Sequence, residues 1–182
     1  DYTLRELDLR NEIKGAELLQ GKAREVEVQF PMPLLKFPKV WPELSNKHVL
    51  VMEHIKAPTL ESRLSNQDLS WDDLLQLFRI HGAFMFGIGT FHGDLHPGNA
   101  MVNEDGMFTF IDTGAISHAP ESVRSALFGF FYYLAKGELE DAFEAMLTMA
   151  DTPPTGEAKA RYMREMHETY AGFVGKSVSE VS

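Results

Sequence analysis

Residues 91–114 read FHGDLHPGNAMVNEDGMFTFIDTG, and the fold turns on how this stretch is read. It begins with a polar loop, 92–99, that contains Gly93, Pro97 and Gly98 and carries Asp94 and Asn99. Two short strands are expected next, over 100–103 and 107–111, joined by the turn Glu104-Asp105-Gly106. Asp112 follows the second strand at once and opens Asp112-Thr113-Gly114.

Three features coincide here: the step from Asp94 to Asn99, the hairpin after it, and the Asp-x-Gly that ends the second strand. Phosphoryl transfer needs few protein groups. One carboxylate orients or deprotonates the acceptor hydroxyl, and one Asn and one Asp hold Mg²⁺ against the phosphates. Mg²⁺ prefers hard oxygen ligands and keeps several waters, so two side chains suffice. The bland alternative makes Asp94 and Asp112 turn formers and Asn99 a loop residue. Turn chemistry alone does not account for their joint spacing.

Outward from this segment the chain reads as mostly helical. A first helix is expected from Asp1 to about Arg24, with Leu9, Glu12, Ala16 and Leu19 on one face. That face places a carboxylate within an apolar stripe, where an inward acid requires a partner; a boundary Glu reaching to solvent is the other reading. Pro31, Pro33, Pro38 and Pro42 then impose extended chain and turns. HVLVME, residues 48–53, reads as a short buried strand, and a short helix is expected over 60–64. Ser70 can cap the next helix, with Asp72 and Asp73 in its first turn and Leu74, Leu77, Phe78, His81, Met85 and Ile88 along one stripe. Gly87-x-Gly89 lies inside that stripe with no strand before it, which favours close packing over a dinucleotide fingerprint. Beyond the key segment, Pro120 opens a helix carrying Val123, Leu127, Phe130, Phe131 and Leu134, and Gly137 stops it. Helices are expected over 138–150 and about 157–174, with Leu139, Phe143 and Met146, then Met163, Met166, Tyr170 and Phe173, inward. The fold class is α+β.

The composition of the 182 residues is globular, with a net charge of −10. That charge argues against a nucleic-acid partner, which requires clustered cations. It permits ATP, which backbone N–H groups and a metal can hold on an acidic protein. There is no cysteine, so disulfides, thiolate metal sites and a cysteine nucleophile are excluded. The opening residues show no basic, apolar, small-residue pattern, so a secretory signal is not expected. The longest apolar stretches, 80–91 and 126–135, fall short of the ~20 residues that span a bilayer. The expectation is a cytoplasmic or membrane-peripheral chain.

The key segment resembles the protein-kinase-like fold, and within it the UbiB-like atypical kinases, whose loop reads close to H-x-D-x-H-P-G-N followed by D-x-G. Those residues here are His92-Gly93-Asp94-Leu95-His96-Pro97-Gly98-Asn99 and Asp112-Thr113-Gly114. The family's E-x-D motif, with a second Glu six residues after the first, is matched by Glu6, Asp8 and Glu12. Residues 49–55 look like the last N-lobe strand running into the hinge. The resemblance covers about residues 1–150. It implies a mostly helical C-lobe with helix C and part of the N-lobe sheet: 1–55 as partial N-lobe, 56–182 as C-lobe. It further implies Asp94 as the catalytic-loop Asp, Asn99 and Asp112 as metal ligands, and Glu12 as the partner of the ATP-binding lysine. Glu6 and Asp8 would belong to a regulatory motif, and the backbone around Met52, Glu53 and Ile55 would receive adenine. Mg²⁺ and ATP or ADP would be the cofactors, and a lipid or quinone at a membrane the acceptor.

Two departures bear on this. Thr113 stands where Phe is common, which alters any packing switch at that position. The alanine-rich nucleotide loop, the lysine and the K-x-G-Q motif that precede helix C in the family are not in the sequence. Only eleven residues precede Glu12, so neither Lys14 nor Lys22 is that lysine. The expectation is a partial chain completed by a missing N-lobe segment, with the family's C-terminal membrane segment also outside it. Three other readings stay open. Aminoglycoside and choline kinase-like enzymes carry the same H-G-D-L-H-P-G-N. A transition-metal site can be drawn from His92, Asp94, His96 and Asp112. A non-catalytic pseudokinase keeps the loop without turnover.

Overall fold

The computed structural model describes residues 7–170. The stripe anticipated near the N-terminus forms helix α1, Arg10–Glu25, with Gly15, Ala16 and Leu19 buried and Glu12 half-buried on the same side. The proline-rich stretch holds only the two-residue strand β1, Leu35–Lys36, and a 3₁₀ turn, Pro42–Leu44. The strand expected over 48–53 does not form. Single bridges join Val40 to Met52 and Asn46 to Val49, and Val49 is 48% exposed. Trp41 N–H donates to Val51 O at 3.0 Å and Glu53 N–H to Lys39 O at 2.8 Å. Pro38 and Pro42 flank that short pairing and offer no N–H to extend it.

Helix α2, Leu60–Ser65, is capped by Thr59, whose hydroxyl accepts from Ser62 N–H. Helix α3, Trp71–Gly82, starts with a full capping box between Ser70 and Asp73. It runs on as a π-helical segment, Ala83–Ile88, that Gly89 ends in the left-handed region. Ile80 and Phe84 are its buried residues; Leu77 and Ile88 of the expected stripe pack against the same core, whereas Phe78 is 69% exposed and leaves it. Four strands follow: β2, Thr90–His92; β3, Ala100–Val102; β4, Phe108–Phe110; and β5, Ile116–His118. β3 and β4 are the expected hairpin, paired antiparallel with Ala100 opposite Phe110. Asn103 Oδ1 accepts from Asp105 and Met107 N–H at 3.1 and 2.9 Å and closes the turn. β1 joins β4 in parallel, giving the order β1-β4-β3. β2 and β5 pair antiparallel, His92 opposite Ile116, and clamp the two ends of the key segment together. Leu19, Leu60, Ile80, Phe84, Ala100, Val102, Phe108 and Phe110 form one core. It fastens α1 and α3 to the hairpin, each Leu, Ile, Val or Phe side chain contributing about 1.5–3 kcal/mol of burial.

These elements belong to one compact unit, Asp1–His118; a second spans Ala119–Ser182. The second holds α4, Glu121–Lys136; α5, Leu139–Leu147; and α6, Gly156–Tyr170. Pro120 stands just outside the first turn of α4, and Gly137 ends that helix at φ 77°. Phe130, Ala142 and Phe143 make a small core, with Leu139, Met146, Met163, Met166 and Tyr170 against it as expected. Phe131 is 52% exposed, one step around the helix from Phe130, and leaves the predicted apolar face. Phe173 lies outside the described residues. No helix among the described residues is long and apolar enough to cross a membrane.

Candidate active site

The loop after β2 is braced by a histidine. His92 is 2% exposed. Its Nδ1 accepts from Asp94 N–H at 3.2 Å, and its Nε2 lies 3.0 Å from Ile111 O. A carbonyl only accepts, so Nε2 carries the proton and donates; the ring is the neutral Nε2–H tautomer. One buried side chain thus ties the Asp94 backbone to the residue before Asp112. Asn99, also buried, braces the loop from the other end. Its Nδ2 donates to Asp94 O at 3.0 Å, its N–H to His96 O at 2.9 Å, and its carbonyl accepts from Ile111 N–H at 3.0 Å. With the amide nitrogen engaged, Oδ1 is what Asn99 has to offer a cation. The Asp94 side chain is exposed at the turn that these bonds hold.

Asp112 is exposed and has φ 55°, the left-handed region that non-glycine residues seldom occupy. Strained backbone of this kind concentrates at functional sites, where surrounding bonds enforce it. The enforcing neighbour is α1. Glu12 turns its carboxyl to the Asp112-Thr113-Gly114 turn, accepts from the N–H groups of Thr113 and Gly114, and shares a hydrogen bond with the Asp112 carboxyl. Two carboxyls hydrogen-bond only with a proton between them. Burial first, and then the charge of Asp112, push the Glu12 carboxyl up to about 7, while the two backbone donors pull it down. Thr113 donates its hydroxyl to Glu12 O at 2.9 Å.

The remaining expected positions are spread out. Met52 lines a cavity of about 20 Å³ together with Glu12, Val40, Ile111 and Asp112. Glu53 and Ile55 line a different and larger one, about 270 Å³, with Lys36, Lys56 and Asn103. Lys36, 2.7 Å away, holds the Glu53 carboxyl below its ordinary value. Asp8 is gripped by Arg10, whose Nε and Nη2 approach at 2.8 and 2.6 Å and hold its carboxyl well down. Glu6 lies outside the described residues. The structure therefore brings Glu12 to Asp112 and ties Asp94 to Asn99 through one loop. Sequence reasoning missed the bridging role of His92, for which the signal was a histidine two residues before Asp94 in an otherwise polar loop.

The set is of the kind a hard cation takes with few protein ligands: an Asn carbonyl oxygen, an exposed carboxylate, and a neighbouring acid with no cationic partner among the described residues. It does not suit a transition metal. Both nitrogens of His92 are engaged by the backbone, and no group of three or more His, Asp or Glu among the described residues gathers as a metal-binding set.

A family model for the ABC1 atypical kinase-like domain matches residues 2–146. The chain belongs to this family. Among curated relatives, the probable protein kinase UbiB of Histophilus somni is 33% identical over 133 residues, covering 67% of this chain and 23% of that protein. Activity of BC1 complex kinase 3, chloroplastic, of Arabidopsis thaliana is 30% identical over 106 residues, or 57% of this chain and 15% of that protein. The chain thus spans about a fifth of the length of the ABC1 relatives it matches. The solved complex of Rv3197 with erythromycin from Mycobacterium tuberculosis superposes with a TM-score of 0.60 at 21% identity, over 95% of this chain and 42% of that one. The fold of this ABC1 chain is kinase-like and α+β.

Proposed function

We propose that this ABC1 chain contributes the catalytic loop and metal-binding turn of an atypical kinase that binds ATP or ADP with Mg²⁺. Asn99 and Asp112 would hold the metal, which supplies charge neutralisation at the phosphates. Asp94 would orient or deprotonate the acceptor, or a water where the reaction is hydrolysis. Glu12 would pair with a lysine from an N-lobe segment outside this sequence, and the Met52–Ile55 backbone would flank adenine. On the family resemblance, the acceptor in the complete protein would belong to quinone or isoprenoid-lipid chemistry at a membrane. The observation that carries the reading is the junction of Glu12 with the Asp112 turn. Two acids meet there, and a cation beside them would relieve the repulsion that raises the Glu12 carboxyl.

Thermal unfolding with and without saturating Mg·ADP tests it, beside Asp112→Asn. Asn tolerates the left-handed backbone, so this change removes charge without adding strain. At a ligand concentration 100 times Kd the stabilisation is about 2.7 kcal/mol, a rise of about 5–10 °C for a chain of this size. The wild-type chain should show a Mg²⁺-dependent rise, and Asp112→Asn should lose it. Asp94→Asn should keep the rise and, in the complete protein, lose turnover. Equal loss of binding in both variants would contradict the roles assigned.

A further inference from the structure

We propose that Thr113 and Gly15 form a latch between helix α1 and the Asp112 turn, and that Thr113 is a positioning residue that sets where Glu12 stands relative to Asp112. The two sides grip each other reciprocally. Thr113 donates its hydroxyl to the backbone carbonyl of Glu12, and the N–H groups of Thr113 and Gly114 donate to the Glu12 carboxyl. Thr113 is 4% exposed, so water does not compete for its hydroxyl, and the hydroxyl left unpaired there would be costly. Gly15 lies three residues after Glu12, on the same helix face. A Cβ at 15 would overlap the Thr113 carbonyl, and a Cβ at Gly114 would overlap Glu12 Oε1. Two glycines and one short hydroxylated side chain therefore fix the spacing between the helix and the turn. A phenylalanine at 113 would lack the donor that bonds the Glu12 carbonyl. The helix is set here by a hydrogen bond, not by a ring packed in a pocket.

Valine has the shape of threonine without its hydroxyl; serine keeps the hydroxyl and drops the methyl. Amide hydrogen exchange on the full chain separates the two contributions. In Thr113→Val, the amides of 113, 114 and the first turns of α1 should exchange about fivefold faster, the factor one lost hydrogen bond implies. Thr113→Ser should stay close to wild type. Gly15→Ala is an independent variant. Helix propensity favours alanine, so faster exchange at 113 and 114 in this variant would report the lost contact itself. A wild-type Thr113→Val beside a fast Thr113→Ser would mean that packing holds the turn, and would overturn the latch.

Only the consequence for ligand rests on the proposed nucleotide site. Mg·ADP affinity should fall by about the same factor in Thr113→Val and recover in Thr113→Ser. Should the exchange pattern hold while the wild-type chain binds no Mg·ADP, the nucleotide reading fails and the latch stands. Should the exchange pattern fail, the latch is wrong whatever the nucleotide does.

Discussion

At the scale of single residues, the contact between Glu12 and Asp112 makes stability depend on pH in a definite sense. The Glu12 carboxyl sits at about 7 in the folded chain against an ordinary value of 4.5. Between those values the folded state holds a proton that the unfolded state has released. The stabilising contribution is therefore complete below about pH 4.5 and disappears as pH rises through 7. His81, lowered chiefly by burial, pulls the other way, so the useful quantity is a difference between proteins. Glu12→Gln replaces the acid by a neutral group of its shape. The wild-type melting temperature should fall relative to Glu12→Gln between pH 5 and 8, and parallel curves would show that no proton is shared. Asp94, Asn99 and Asp112 were legible in the sequence because their spacing is local. The grip of Thr113 on Glu12 was not, since it joins residues 101 positions apart and neither alone carries a sign of the other.

Among the elements, those with strong local signals matched their reading, the short helix α2 and the short β3–β4 hairpin included, and those without such signals did not. The capping box of α3 shows what a strong signal is. Ser70 Oγ accepts from Asp73 N–H at 3.0 Å, and Asp73 Oδ2 accepts from Ser70 N–H at 3.1 Å. Arg63 adds a charge contact to Asp73 at 3.2 Å. Ser70→Ala should lower stability by about 1 kcal/mol and the melting temperature by about 2–4 °C, and Ser70→Gly by a few tenths of that energy. No loss in Ser70→Ala, read by calorimetry, would mean the hydroxyl is not the stabilising group. The β3–β4 hairpin was equally readable, because its turn residues stand between two apolar runs. β2 and β5 are three residues each, too short for alternation to show, and their pairing follows from the chain reversing through the whole segment between them. The run over 48–53 has strand composition, yet composition cannot supply a partner. Ser45 Oγ accepts from Val51 N–H at 2.9 Å where a neighbouring strand would have done so. In α3 and its π-helical continuation the buried face centres on Ile80 and Phe84, with Leu77 and Ile88 beside them, and Phe78 lies outside it.

For the whole molecule, the decisive fact is which core supports the site. Glu12, Asp94, Asn99 and Asp112 all belong to the unit Asp1–His118. Leu19, fully buried, lies seven residues after Glu12 on the face that α1 turns to the core, where it meets the cluster containing Val102, Phe108 and Phe110. Phe143 anchors the other core, which contains none of the four. Leu19→Ala should cost about 2–5 kcal/mol and Phe143→Ala about 3–5 kcal/mol, so the two are comparable insults to a chain of ordinary stability. Their effects on the site should differ. Leu19→Ala lets α1 settle away from the turn, and Mg·ADP should no longer slow amide exchange at 112–114. Phe143→Ala should speed exchange across 121–170 and leave the ligand-dependent slowing at 112–114 in place. Loss of that slowing in both variants would show that the geometry at Asp112 depends on the second core as much as on the first. Its loss in Phe143→Ala alone would remove α1 packing as the support of the site.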